Sequence, residues 1–201
     1  MTLVFLFFSC PAAAESSADP HLQACLKKAD DMPDIAAAEA GAWRKHGGGD
    51  NALLCEAYAQ FNRGAFDEAG REFAALAKAR GKNGHAAPLH DQAGLAFARA
   101  HEAAKAERQY AAALRLEPDN PDIWLDRADE RAGDQRYWDA IGDIDRALKI
   151  MPDAPEALRM RGRAYFKLGL DSNAKADFER AAEIEQADKA LRGHPRERKK
   201  R

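Results

Sequence analysis

The chain has 201 residues, with 31 Lys and Arg against 33 Asp and Glu and a formal net charge of −2. That length holds one domain or a short repeat array, and the near balance of charge argues against a nucleic-acid surface spread over the whole chain. The balance is uneven, because residues 192–201 hold six Lys and Arg and one Glu, net +5, which leaves −7 for the rest.

Residues 3–8 (LVFLFF) form a short apolar run, followed by Ser9-Cys10-Pro11 and Ala12-Ala13-Ala14. This pattern reads as a signal peptide over 1–14, with small residues before a cut at Glu15. The run is far shorter than the ~20 apolar residues a membrane span needs. No Lys or Arg precedes it, so the usual basic start is missing. Two other readings stand beside it: a buried first strand or helix, and a lipoprotein acylated at Cys10. The last lacks the leucine expected three residues before the cysteine. Export implies a periplasmic or secreted protein; without it the chain is cytoplasmic.

If Cys10 is removed, Cys25 and Cys55 remain, 30 residues apart. Bridged, they would close a loop worth roughly 3–4 kcal/mol in the chain-entropy account. Unbridged, they read as two small residues buried in helix packing.

Alanine is abundant and β-branched residues are sparse, which favours helix over strand. A helix is expected over 21–30, with Leu22, Cys25, Leu26 and Ala29 at helical spacing. A second is expected over 35–46, capped by Asp34, packing through Ala38, Ala42 and Trp43 and ended by Gly47-Gly48-Gly49. The next pair spans 50–62 and 65–80, where Ala69, Phe73 and Leu76 share one face. Residues 81–86 form a loop, a candidate joint.

From residue 87 a pattern repeats every 34 residues, over 87–120, 121–154 and 155–188. Each unit has Gly or Ala at 94, 128 and 162, and Ala at 106, 140 and 174. Large residues, among them Phe97, Tyr110, Trp124, Ile144, Tyr165 and Phe178, fall at fixed offsets as expected core. Arg131 stands where the first helix would carry an aromatic, and acidic side chains of the preceding unit are its expected partners.

These residues resemble the tetratricopeptide-repeat family, whose signature is this period with small and aromatic residues at these positions. The last unit carries it as Leu158, Gly162, Tyr165, Gly169, Ala174, Phe178 and Ala181. The resemblance covers 50–188, with 15–49 as a divergent capping pair and 189–201 as a basic, disordered tail. It implies an all-α, right-handed solenoid of stacked antiparallel helix pairs.

The resemblance further implies a protein-binding scaffold whose first helices line a groove for an extended segment of another protein. It assigns that groove to Tyr58 and Phe61, with Asn51, Leu54 and Asn62, at the start. Asp91, Leu95, Asp122 and Asp129 follow in the middle, and Arg159, Arg163 and Lys167 at the end. Asp126 and Asp129 are alternatively expected to pair with Arg159 and Arg163. The Lys and Asn that clamp a terminal carboxylate in the chaperone-binding subgroup are absent.

No metal-ligand spacing, nucleophile motif or phosphate loop is visible, so no enzyme, cofactor or small-molecule substrate is expected. The basic tail suggests an anionic surface as a second partner and an intracellular, tail-tethered adaptor as the alternative function. Nucleic acid is the less expected partner.

Overall fold

In the computed structural model, residues 19–81 and 85–193 are described; the expected signal peptide, Cys10, part of the 81–86 loop and residues 194–201 lie outside them. The described residues form ten helices. These are α1 (Pro20–Asp31), α2 (Pro33–Lys45), α3 (Gly49–Asn62), α4 (Phe66–Arg80), α5 (Ala86–Arg99), α6 (Ala103–Leu116), α7 (Pro121–Gly133), α8 (Tyr137–Ile150), α9 (Pro155–Lys167) and α10 (Asp171–Gly193). Residues 189–193, expected in a disordered tail, continue α10 as helix.

Helix starts follow local chemistry. Pro20, Pro33, Pro121 and Pro155 each open a helix, where a missing N–H breaks no bond. Asp19 and Asn120 cap α1 and α7 by accepting from the amides of His21 (2.9 Å) and Asp122 (3.1 Å). Asp34 is not the cap of α2, as expected, because Pro33 already lies in the helix and Met32 precedes it. The packed face also differs from the expected one: α2 buries Ala36, Ala37 and Ala40, and leaves Ala38 and Ala42 exposed. Trp43 instead stacks on the His21 ring at 3.9 Å.

The turn inside each hairpin is the same in four successive pairs. The amides of Ala65, Glu102, Arg136 and Leu170 donate back to the carbonyls of Gln60, Phe97, Arg131 and Tyr165, at 2.8–2.9 Å. This six-to-one bond closes a helix through one left-handed residue. Gly64 and Gly169 fill that place in the outer two turns at φ 85° and 73°, whereas His101 and Gln135 fill it in the middle two at φ 58° and 61°.

Every helix packs on the next; α1 also packs on α3, and α5 on α7 and α7 on α9, so the first helices of the last three hairpins form a row. Small residues set the spacing within a hairpin: a Cβ on Gly94 would lie 2.8 Å from the Tyr110 ring. Tyr110, Phe73 and Ile144 are fully buried. Trp124 and Tyr165 are only half-buried. Phe178 rests on Gly162 but is 38% exposed, since no described helix packs over that face of α10.

The apolar core is not continuous. One cluster runs from Ala57 on α3 to Ile123 at the start of α7, and a second from Ala128 on α7 to Ala181 on α10. Between them lies a polar joint, where Arg131 bridges Glu107 of α6 (2.8 and 3.0 Å) and Asp143 of α8 (2.7 Å). Arg127 holds the same Asp143 through two bonds, and Arg136 reaches Glu107. The partner expected for Arg131 in the preceding unit is thus Glu107.

At the N-terminal end α1 is tied to α3 at three levels. Asn51 donates to Asp19, Cys25 and Cys55 form a disulfide with their Cα atoms 6.0 Å apart, and Asn62 donates to the Ala29 carbonyl and to Asp30. Asn51 and Asn62 therefore serve this tie rather than the groove assigned to them.

Candidate binding groove

The row of first helices carries three linked clefts that share Asp129. The first, about 290 Å³, lies beside the polar joint and is bounded by Leu95 and Arg99 on α5, Tyr110 on α6, and Asp126, Asp129 and Glu130 on α7. The second, about 300 Å³, runs between α7 and α9, with Ala132, Met160, Arg163 and Lys167 on its walls. A third connects Asp122 and Leu125 with Glu156 and Met160. The surface is therefore acidic at α5–α7 and turns basic at α9.

Among the groove residues expected from sequence, Leu95, Asp122, Asp129, Arg163 and Lys167 meet in these clefts. Asp91 is not on their walls; it is 9% exposed and within hydrogen-bonding reach of Asp126. Tyr58 and Phe61 do not join them. Both are half-buried, Tyr58 against the edge of Phe73 at 5.0 Å and Phe61 against Phe66 at 5.3 Å, so they serve packing.

Arg159 is held by Glu156 on its own helix and by Glu185 on α10. Arg163 pairs with Glu156 at 3.1 Å. The pairing expected of Asp126 and Asp129 with these arginines is thus not formed. Glu156, one turn before Arg159 and two before Arg163 on the same helix, pairs with both guanidiniums instead.

Burial without counter-charge dominates the acidic side. Desolvation and the neighbouring Asp126, Asp122 and Glu117 raise Asp91 well above the usual carboxylate range. Desolvation likewise raises Asp126. Glu130 is pushed up to about 7 by burial, then by Asp134 and Glu107. Buried oxygens of Asp91 and Glu130 and the Tyr110 hydroxyl have no hydrogen-bond partner.

Tyr110 and Glu130 were not expected in the site. Part of the signal was legible, since Asp122, Asp126, Asp129 and Glu130 cluster on one helix. Among the described residues no group of His, Cys, Asp and Glu is arranged to hold a metal ion, and no helix is long and apolar enough to cross a membrane.

Comparison with known proteins identifies the fold. No family model matches the chain. A UPF0162 protein of Xylella fastidiosa is 48% identical over 48 residues, a stretch covering 23% of this chain and 17% of that protein's length.

Among solved structures, a MamA RS-1 double mutant superposes with a TM-score of 0.70 at 18% identity, covering 85% of this chain and 93% of the other. A crystal structure of MamA gives 0.69 at 19% identity, covering 82% and 95%. MamA 41-end from Desulfovibrio magneticus RS-1 gives 0.69 at 18%, covering 83% and 92%. MamA is a tetratricopeptide-repeat protein, and the likeness spans the described hairpins, so the chain has the all-α solenoid fold of a tetratricopeptide-repeat array.

Proposed function

We propose that the protein is a non-enzymatic scaffold that holds an extended segment of another protein along the first-helix row, across α5, α7 and α9. The observation that carries this is the run of linked clefts, open to solvent and changing from acidic at Asp126 and Asp129 to basic at Arg163 and Lys167. A segment with charges of both signs fits such a surface in one direction only, which gives register as well as attraction. The Cys25–Cys55 bridge supports residence in an oxidising compartment, periplasmic or extracellular.

A photo-crosslinking residue placed at Leu125, in the clefts, should capture a polypeptide at one short stretch. The same residue at Trp138, exposed but outside these clefts, should not. Equal capture at both positions, or none at Leu125, refutes the reading. Mass spectrometry of the native protein tests the compartment: a mature start at Glu15 with bridged cysteines is expected, and free thiols on an intact Met1 overturn it.

A further inference from the structure

The acidic cleft at α5–α7 contains more unsatisfied hydrogen-bonding capacity than packing explains. Tyr110 is 0% exposed, yet its hydroxyl lacks a partner while its side chain lines the cleft. Glu130, on the same wall, also leaves one buried oxygen unpaired. Buried polar groups left without a partner are costly. Fully buried Tyr110 is an independent sign that the cleft is an acceptor site, beyond the acidic cluster itself.

Arg99 also lines the cleft, and among the described residues it forms no ion pair with Asp126, Asp129 or Glu130. Arg127 is committed to Asp143, and Arg131 to Glu107 and Asp143. The guest that would satisfy these atoms is positively charged, planar or compact, and rich in donors. A guanidinium offers five N–H donors in a rigid fork and tolerates partial desolvation better than an ammonium. The described residues lack an arrangement for a metal ion.

We infer that the cleft between α5 and α7 is a receptor for an arginine side chain of the bound segment, seated among Asp126, Asp129, Glu130 and Tyr110. This rests on the groove reading above and specifies it. Arg163 and Lys167, farther along the same surface, then receive an acidic residue of the same segment. Charge complementarity selects this occupant, because Asp126, Asp129, Glu130 and Asp134 outweigh Arg99 on the walls of an open cleft.

Proton linkage supplies a signature. In the empty cleft Asp126 and Glu130, and Asp91 within hydrogen-bonding reach of Asp126, are raised by burial, and Asp122, Asp129, Asp134, Glu107 and Glu117 add to the effect, while Arg131 and Arg136 oppose it at Glu130. A guanidinium favours the ionised carboxylates, so its entry releases protons near neutral pH, and affinity rises with pH.

The test uses two blocked pentapeptides, Ac-Ala-Ala-Arg-Ala-Ala-NH2 and its citrulline counterpart, titrated into the full chain and followed by NMR. Citrulline keeps the shape and removes the charge. The arginine peptide should bind at least about tenfold more tightly, shift the Tyr110 ring signals, and bind more tightly at about pH 8.5 than at about pH 6. Asp126→Asn should weaken it about tenfold, and Tyr110→Phe, which keeps the ring, should weaken it less. Equal binding of both peptides, an affinity independent of pH, or no binding at millimolar concentration overturns the inference. Capture at Leu125 with failure of the arginine peptide would sink the arginine site alone; absence of capture would sink the groove reading as well.

Discussion

Phe97 and Arg131 hold equivalent places in successive repeats, 34 residues apart, yet meet opposite chemistry. Phe97 is 4% exposed, and its ring lies where a Cβ on Gly70 of the preceding hairpin would come within 2.8 Å. Arg131 faces Glu107 at the position matching Gly70, and its guanidinium is shared with Asp143. The first joint is closed by non-directional burial. The second is closed by geometry-dependent bonds whose gain is largely offset by desolvation. Of the consecutive helix contacts, that between α6 and α7 is the thinnest. The apolar core divides there, and the acidic cleft opens beside it. Where burial gives way to ion pairing, the array leaves room for a guest.

The largest expected effect tests that contrast directly. Phe97→Ala should cost about 3–5 kcal/mol as a large-to-small core change. Arg131→Met should cost only about 1–2 kcal/mol, because Arg127 still holds Asp143 and Arg136 still holds Glu107. Urea unfolding of both variants ranks them, and a larger loss at Arg131 reverses the comparison. Converting the polar joint into a copy of the apolar one, with Glu107→Gly and Arg131→Phe together, should recover about 1–2 kcal/mol relative to the sum of the single changes. Additive losses in that cycle would mean the two side chains do not work as a pair.

A second repeated pair sharpens the contrast through pH. Arg127–Asp143 recurs as Arg161–Asp177, but the same places in the first full hairpin hold Glu56 and Glu72. Burial, then Glu56, pushes Glu72 up to about 7. A folded-state value above the unfolded one makes its contribution fully present below about pH 4.5 and lost as pH rises to about 7. Glu72→Gln should flatten that slope and raise stability above neutrality by about 1 kcal/mol, discounted because the group is partly exposed. A melting-temperature profile against pH identical to wild type would remove Glu72 from the account.

The smallest effect concerns the middle turns. His101→Gly and Gln135→Gly should each stabilise by about 0.5–1 kcal/mol, relief of the left-handed backbone exceeding the entropy added to the unfolded chain. A lower melting temperature in either variant would show that the side chain contributes more than its strain.

The 34-residue period made the hairpins, their small-residue contacts and Arg131's acidic neighbour legible, because each depends on residues at fixed offsets. Other features depended on tertiary context. His101 and Gln135 occupy turns that glycine would advertise, so no local signal marked them. Asp34 looks like a cap until Pro33 claims the first helical position. Phe178 matches the core pattern, but a pattern does not reveal that no described helix packs over its ring. The charged surface was readable as a list of residues. Its pairing was not, since Glu156 and Glu185 compete for arginines assigned elsewhere.

The threefold attachment of α1 to α3 governs how the array can unravel from α1. Linear repeats ordinarily fray from either end, one hairpin at a time. Here the bonds of Asn51, Cys55 and Asn62 fasten α1 to the following hairpin as well as to its own partner. Release of α1 requires two hairpins to come apart together. Under heat, protease or tension, α1 should therefore resist release until the bond between Cys25 and Cys55 is reduced.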